Sequence, residues 1–239
     1  MRTRLSAIYR RLLPSYVIAV ETMDSAELGA LLPAEAACLG NSAPKRMREF
    51  AAGRVCARRA LAQIGVEDFP IIAAQDRQPI WPESVVGSIT HTDGYCAAAV
   101  ADRARCLGIG IDSELIEGGI LRLAHRICVP AELHWLETLP AAQRPSAVTM
   151  IFCSKEAFYK FQYPIVAEKL GFGDLRIAIA DWRPVGNGGD ERRAVFSIHP
   201  TRPLMVTQHA ALPIRGRYLF HGQFVSSVVC LPARRRRAQ

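Results

Sequence analysis

Residues 107–114 carry the clearest structural signal of the chain, and they read Leu107-Gly108-Ile109-Gly110-Ile111-Asp112-Ser113-Glu114. The apolar residues predict a buried β-strand that ends in two carboxylates one residue apart. Because side chains alternate along a strand, Asp112 and Glu114 point to the same side. Two convergent carboxylates suit a hard divalent cation such as Mg2+. Taken alone, however, the stretch fits a solvated strand end without function slightly better.

A second segment, residues 151–160, reads Ile151-Phe152-Cys153-Ser154-Lys155-Glu156-Ala157-Phe158-Tyr159-Lys160. It contains no Gly or Pro, and its apolar residues recur at helical spacing, which predicts an α-helix. Glu156 and Lys160 are four residues apart and share a face, so an ordinary surface ion pair explains them on their own. Together, the strand end and the helix offer three carboxylates and two ammonium groups. That set suits holding Mg2+ on a pyrophosphate and neutralising charge as a phosphoryl bond breaks.

The two segments together resemble the signature pair of the 4'-phosphopantetheinyl transferases, Gly-Ile-Asp-x-Glu followed about forty residues later by Phe-x-x-Lys-Glu-x-x-x-Lys. Upstream, Gly87-Ser88-Ile89-Thr90-His91 is similar to that family's Ser-x-Ser/Thr-His motif. The resemblance runs from about Asn41 to Gly173, with the three motifs in order, and is nearest to the monomeric subclass of siderophore and polyketide pathways. It implies an α+β fold of two pseudo-symmetric halves, each an antiparallel sheet packed with helices, with the active site at their junction.

The resemblance also implies a role for each motif residue. Asp112, Glu114 and Glu156 would bind Mg2+, or Mn2+ in its place. Lys155 and Lys160 would neutralise the pyrophosphate of coenzyme A, the co-substrate. Glu156 would take the proton of the acceptor, with Lys155 as the competing assignment. The implied reaction moves 4'-phosphopantetheine from coenzyme A to a serine of an apo acyl or peptidyl carrier protein.

A predicted basic helix and the strand before residue 107 supply further candidates for binding coenzyme A. Arg54 lies in line with the apolar residues of that helix, so its stem packs whether its head reaches water or holds phosphate. In the family, basic residues at matching positions hold the 3'-phosphate, which implies this role for Arg54 and Arg46. Arg77, in a Pro-punctuated loop, is a candidate for the nucleotide end. Thr90 and His91 would contact phosphates, His91 as a hydrogen-bond donor.

Element and domain boundaries follow from local signals. Ser42 is the predicted N-cap of the basic helix, which runs to Ile64. Helices are also predicted at 120–125 and 131–139, and strands at 175–181, 193–199 and 217–231, with an Asn-Gly hairpin signal within 186–190. The predicted domains are an N-terminal half (1–110), a C-terminal half (111–231) and a disordered basic tail (232–239).

The composition limits the class of protein, its partners and its cellular compartment. The chain has 239 residues, of which 50% are hydrophobic and 22% charged, as in ordinary globular proteins. The net charge of +8 comes from arginines near both ends: Arg2, Arg4, Arg10, Arg11 and Arg234–Arg237. The rest is near neutral, so no specific nucleic-acid partner is predicted. No apolar run is long enough for a membrane span. Seven cysteines without a C-x-x-C pair indicate a reducing cytoplasm.

The expected partner is an acidic, helical carrier protein. The near-neutral body must bind it through a local basic patch, for which Arg122, Arg126 and the N-terminal arginines are candidates, or through apolar contacts. Two rival functions use the same features differently. A metal-dependent phosphohydrolase would use the same carboxylates, but the basic helix and Thr90-His91 fit coenzyme A better. An RNA-binding protein driven by its arginine tails would leave both acidic motifs unexplained.

Overall fold

The computed structural model describes residues 8–23, 28–182, 193–210 and 213–233. The helices are α1 (Ile8–Leu12), α2 (Pro33–Ala36), α3 (Pro44–Ala62), α4 (Ala124–Ile127), α5 (Pro130–Glu137) and α6 (Arg144–Val166). The strands are β1 (Ile18–Thr22), β2 (Val85–Thr92), β3 (Tyr95–Asp102), β4 (Cys106–Leu115), β5 (Leu175–Ile179), β6 (Ala194–Pro200), β7 (Ile214–His221) and β8 (Phe224–Pro232). Two antiparallel sheets result, with strand orders β1-β3-β2 and β4-β8-β7-β6-β5. The predicted α+β class is confirmed.

The chain divides into two compact units, Met1–Ile109 with Cys230–Gln239, and Gly110–Val229. The division lies within one residue of the predicted boundary after residue 110. The end of the chain belongs to the first unit, where Ala233 N donates a hydrogen bond to Arg105 O (3.0 Å). Residues 234–239 of the predicted tail lie outside the described residues. Among those described, no helix is both long and apolar enough to cross a membrane.

In the first unit, helix α3 covers the three-stranded sheet through an apolar core that includes Cys56, Ala57, Leu61 and Val100. The small residues along α3 let it lie close to the sheet. The helix begins at Pro44, and Ser42 is not its N-cap, which corrects the prediction. The Ser42 hydroxyl instead donates to Leu39 O at 2.5 Å, so it serves the preceding turn.

A buried carboxylate attaches the first segments of the chain to α3. Glu35 is fully buried and accepts hydrogen bonds from Leu32 N (3.0 Å), Ile71 N (3.0 Å) and the guanidinium of Arg58. Arg58 also donates to Ala30 O. Because each oxygen of Glu35 has a donor, the buried charge is both paired and hydrogen-bonded.

In the second unit, strand β4 and helix α6 meet backbone to backbone. A Cβ atom on Gly110 would lie 1.8 Å from Ala157 O and 2.5 Å from Phe161 N, so only glycine fits there. Two residues further along β4 is Asp112, and α6 continues to Lys160. The close approach therefore places the acidic strand end beside the charged turns of the helix.

The end of the second unit differs from the prediction of one strand over 217–231. Two strands, β7 and β8, form a hairpin there, and the turn between them contains Gly222 with a φ of 55°. This left-handed conformation favours glycine. The predicted helix at 120–125 is a 3-10 helix over Gly118–Leu123 followed by α4. The hairpin signal within 186–190 lies outside the described residues.

Replacing Gly110 with alanine should destabilise the protein by about 3 kcal/mol or more, because the methyl group overlaps the α6 backbone, which cannot move aside like a side chain. Chemical denaturation measures this loss. Gly119→Ala is the matched control, since a Cβ there meets nothing within 4 Å. Equal stability of the two variants would contradict the proposed tight contact.

Candidate active site

A group of acidic side chains, here called the carboxylate cluster (Asp112, Glu114 and Glu156), lies where β4 faces α6 in the second unit. Lys160 Nζ donates to Asp112 Oδ1 at 2.6 Å, and Asp112 is buried. Asp112 and Glu114 interact directly, as alternation along the strand predicts. Glu156 is influenced by the charges of both Asp112 and Lys160. The strand and the helix thus bring together four of the five residues that the two motifs single out, and Lys155 is the exception.

The electrostatics of the cluster reflect crowding of like charges. Burial first, and the charge of Asp112 second, raise the pKa of Glu114 to about 8, although Lys160 opposes the shift. Burial and then Asp112 also raise the pKa of Glu156. Burial alone lowers the pKa of Lys160, but Asp112 and Glu156 outweigh it, and the net shift is upward. Three carboxylates share one nearby ammonium, so the cluster favours an additional cation.

The donor set is the one that hard divalent cations prefer. All three candidate ligands offer carboxylate oxygen, which suits Mg2+ or Mn2+ better than a soft metal. In the described part of the chain, no three acidic, histidine or cysteine side chains already stand in the arrangement of a complete metal site. Lys160 supplies the positive charge beside Asp112 in this structure. The cluster fits a metal by its chemistry and charge.

Lys155 lies in the interior of the second unit and makes an internal ion pair. It is 1% exposed, and its Nζ donates to Glu132 Oε2 (2.8 Å), Ile127 O (2.8 Å) and Phe172 O (2.9 Å). Burial lowers the pKa of Lys155, and Glu132 opposes this shift. An ammonium group has three protons, and all three are donated within the protein. In this structure the Lys155 ammonium is thus fully engaged by protein acceptors, and its two predicted roles, at the pyrophosphate and as the base, stay predictions.

Glu132, the partner of Lys155, was missed by the sequence reasoning. Besides the ion pair, its oxygens accept hydrogen bonds from Val129 N (2.8 Å) and Ile177 N (2.6 Å). The available signal was local, because Pro130 starts α5 and an acid at the third helical position is a capping pattern. The distant partners Lys155 and Ile177 have no such signal.

Both units contain a buried glutamate at the start of a short helix that pairs with a cation of the unit's long helix. Glu35 is the third residue of Pro-Ala-Glu at the start of α2, and Glu132 is the third residue of Pro-Ala-Glu at the start of α5. Each accepts a backbone N–H at its own helix start, a second N–H from a later segment, and a cation from the unit's long helix. The same number of residues separates Glu35 from Glu132 as separates Arg58 from Lys155. These matching contacts agree with the predicted pseudo-symmetry.

In the first unit, His91 lies between two residues of α3. Arg46 Nη1 is 2.5 Å from His91 Nε2, and Glu49 Oε2 is 3.5 Å from His91 Nδ1. A cavity of about 150 Å³ adjoins them, and Lys45 and Arg48 contribute to its wall. The cavity is partly open, and its wall also contains the acids Glu49 and Asp93. Sequence reasoning proposed His91 and Arg46 separately and did not find Glu49.

Of the other candidates for binding coenzyme A, Arg54 and Thr90 are buried and Arg77 is exposed. Arg54 is 7% exposed, its Nε donates to Ile71 O (2.8 Å), and its guanidinium lies 3.9 Å from the centre of the Phe50 ring. Burial lowers the pKa of Arg54 to about 10. Thr90 is 1% exposed on β2. Arg77 is exposed at a turn, with a φ of 70°.

The residues suggested for carrier binding lie on exposed surface. Arg122 and Arg126 are exposed in the second unit, and Leu121 and Leu123 beside Arg122 are large exposed hydrophobic residues. Charged and apolar contacts are thus available on one short segment. Arg10 and Arg11 are exposed on α1, whereas Arg2 and Arg4 lie outside the described residues.

An α+β chain with a partly buried carboxylate cluster beside a lysine has the features of an enzyme that acts on phosphate groups. The model of the 4'-phosphopantetheinyl transferase N-terminal domain matches residues 34–101, and that of the 4'-phosphopantetheinyl transferase superfamily matches residues 108–201. The chain belongs to the 4'-phosphopantetheinyl transferase superfamily, and the predicted family is confirmed.

Named relatives agree with this assignment. The 4'-phosphopantetheinyl transferase Npt of Nocardia iowensis is 40% identical over 169 residues, which cover 70% of this chain and 74% of the relative. The 4'-phosphopantetheinyl transferase Svp of Streptomyces mobaraensis is 36% identical over 176 residues, 70% of each chain. Enterobactin synthase component D of Escherichia coli (strain K12) is 36% identical over 139 residues, 58% of this chain and 65% of the relative. The protein is an enzyme of the phosphopantetheinyl transferase type, in the subclass that includes these relatives.

The raised pKa of Glu114 predicts a pH-dependent stability in the presence of a chelator. Because the folded pKa is about 8 and the ordinary value 4.5, the stabilising contribution of Glu114 is full below pH 4.5 and is lost as pH rises through 8. Glu114→Gln should therefore raise Tm at pH 8.5 by roughly 3–6 °C relative to wild type, with little effect at pH 5. Glu117→Gln, an exposed acid nearby, is the control. A Tm difference that does not grow with pH would contradict the buried charge.

The buried ion pair predicts that Lys155 stabilises the fold. Lys155→Met should lower the free energy of unfolding by about 3–5 kcal/mol, because Glu132 remains buried without its cation. Adding Glu132→Gln should recover part of the loss, since the uncompensated charge is then removed. Lys169→Met, an exposed lysine of the same unit, is the control. An Lys155→Met variant as stable as this control would show that Lys155 is not structural.

Proposed function

We propose that this protein transfers 4'-phosphopantetheine from coenzyme A to a serine hydroxyl of an apo acyl or peptidyl carrier protein, in a Mg2+-dependent reaction that releases adenosine 3',5'-bisphosphate. The observation that carries the proposal is the carboxylate cluster with Lys160 beside Asp112. Family membership supports the reaction class. We also propose that one chain suffices for the reaction and that it takes place in the cytoplasm.

Asp112, Glu114 and Glu156 would hold the metal ion. Bound Mg2+ would neutralise charge on the pyrophosphate and stabilise the departing phosphate. Lys160 would add a positive charge at the same place, because its side chain is 30% exposed and its ammonium already pairs with Asp112. Mn2+ has the same ligand preference and would serve as a substitute.

The covalent step forms one bond and breaks another. The serine oxygen bonds to the phosphorus that bears the pantetheine, and the bridging P–O bond to the adenosine bisphosphate breaks. The serine proton must leave as this happens, and Glu156 is the proposed acceptor, directly or through water. Lys155 is not proposed, since its three hydrogen bonds leave it no lone pair.

The first unit would bind the phosphates of coenzyme A. Arg46 and His91 are its accessible members, and guanidinium groups suit bidentate contacts to phosphate. Arg54 and Thr90 are almost fully buried, so we propose that they support α3 and β2 beneath these contacts. Arg77, exposed on its turn, is proposed for the nucleotide end.

The carrier protein would bind at the segment that contains Leu121, Arg122, Leu123 and Arg126. An acidic helical partner can satisfy the two arginines while covering the exposed leucines. Similarity to enterobactin synthase component D supports siderophore synthesis as the pathway, with polyketide and nonribosomal peptide synthesis as related choices.

The test is the intact mass of an apo carrier protein after incubation with this protein, coenzyme A and Mg2+. A gain of one phosphopantetheine is expected, and it should disappear with a chelator. Glu156→Gln should lower turnover by at least ~10³-fold with an unchanged circular dichroism spectrum, because the proposed base and a metal ligand are lost together. Glu117→Gln should retain activity. Near-normal turnover of Glu156→Gln would exclude the role of Glu156.

Two other outcomes separate the alternatives. No mass gain with several unrelated carriers, combined with calorimetric binding of coenzyme A, would mean that the acceptor is of another kind. Release of inorganic phosphate from a nucleotide without any carrier would favour a metal-dependent phosphohydrolase built on the same carboxylates.

A further inference from the structure

His91 stands between a cation and an anion that both come from α3. Its Nε2 is 2.5 Å from Arg46 Nη1, and its Nδ1 is 3.5 Å from Glu49 Oε2. The side chains are partly accessible: 35% for His91, 51% for Arg46 and 21% for Glu49. The three residues therefore form an open group, which is available to a ligand.

The contact with Arg46 determines the protonation state of His91 in this structure. A guanidinium group can only donate hydrogen bonds, so Nε2 must accept with its lone pair. The proton of the neutral ring is then on Nδ1, on the side of Glu49. His91 is consequently a neutral imidazole whose Nε2 is an acceptor.

This state does not suit a phosphate ligand at Nε2. Phosphate oxygens at neutral pH accept hydrogen bonds, so a lone pair on Nε2 repels them. When Arg46 turns to the phosphate, Nε2 needs a proton of its own to donate. The ring then carries a positive charge, and the Glu49 carboxylate at Nδ1 is the group that stabilises it.

The charged groups around His91 agree with such a change. From α3, Lys45, Arg46 and Arg48 are cationic and attract an anion, and Glu49 is the acid of that helix at the histidine. From the β2–β3 turn, Asp93 pairs with Lys45 at 3.4 Å. From β3, Tyr95 and Cys96 reach the same cavity. Glu49 Oε2 is 3.5 Å from His91 Nδ1 and 4.0 Å from Arg46 Nη1, so Glu49 is placed to act as counter-ion to the ring when Arg46 turns away.

We propose that Glu49 is a positioning residue for His91, and that binding of coenzyme A is coupled to uptake of a proton by His91. The inference rests on the proposed function for its ligand. In the bound state, the His91 imidazolium donates from Nδ1 to the Glu49 carboxylate and from Nε2 to a phosphate oxygen of coenzyme A. In the free protein, neutral His91 instead accepts a hydrogen bond from Arg46.

Isothermal titration calorimetry of the full chain with coenzyme A tests this coupling. The titration is repeated at pH 8 in buffers that differ in ionisation enthalpy, which gives the number of protons taken up. At pH 8 the 3'-phosphate, with a second pKa of about 6, is already doubly charged and does not contribute. Wild type should take up between about 0.5 and 1 proton, and its affinity should fall as pH rises from 6 to 8.

Glu49→Gln is the decisive variant, because the amide preserves size and a contact to Nδ1 without the charge. Proton uptake should fall by at least half, and the affinity for coenzyme A should drop about tenfold. Glu67→Gln, an exposed acid of the same unit, should match wild type in both readouts. His91→Gln should bind with no uptake, which locates the proton.

The outcomes distinguish this inference from the proposed function. Binding by wild type without proton uptake, or equal uptake by Glu49→Gln, would overturn the inference alone. No binding of coenzyme A by wild type would overturn the proposed function and the inference with it. Equal thermal unfolding of the variants shows that a loss of uptake is not a loss of fold.

Discussion

The candidate site depends on the absence of a side chain at Gly110. Because strand β4 and helix α6 approach with their backbones in contact at this residue, the separation between them is fixed by hard atoms. Asp112 follows on the strand and Lys160 on the helix, and they meet at 2.6 Å. Long side chains could reach each other across a looser junction, but the short Asp112 could not. The glycine therefore matters as much as the charged residues for placing Asp112 beside Lys160.

Two similar strand segments, one in each half of the chain, carry an acid at the same place, and the two acids make different contacts. In the first, the strand Ile18-Ala19-Val20-Glu21-Thr22 resembles Ile109-Gly110-Ile111-Asp112-Ser113 of the second, acid for acid. Glu21 accepts hydrogen bonds from Ile8 N, Tyr9 N and the hydroxyl of Tyr95, so it anchors α1 to the sheet. Asp112 instead faces other carboxylates and a lysine. Glu21 thus has a structural role, and Asp112 is part of the candidate site.

The sequence predicts which side chains share a face wherever local periodicity alone determines it. Alternation along a strand is enough to put Asp112 and Glu114 on one side. Lys155 shows the limit. It is adjacent to Glu156, and neighbours on a helix point about 100° apart, so one faces the interior and the other the cluster. Which of them is buried depends on Glu132 and Phe172, whose positions are set by tertiary packing. The same holds for Glu49, because its contact with His91 depends on where strand β2, far along the chain, is placed.

The two lysines of α6 illustrate how stability and function are separated within one helix. Lys155 is surrounded by three acceptors, so its charge is balanced and its position fixed. Burial and then the charge of Asp112 raise the pKa of Glu114 and of Glu156, and Lys160 opposes this shift without cancelling it. Packing at Gly110 and the Glu132–Lys155 pair hold the helix in place despite that repulsion. An acidic group that is unfavourable without a cation binds a cation more strongly, since relief of the repulsion adds to the binding energy. The instability of the cluster is thus part of what makes it a candidate metal site.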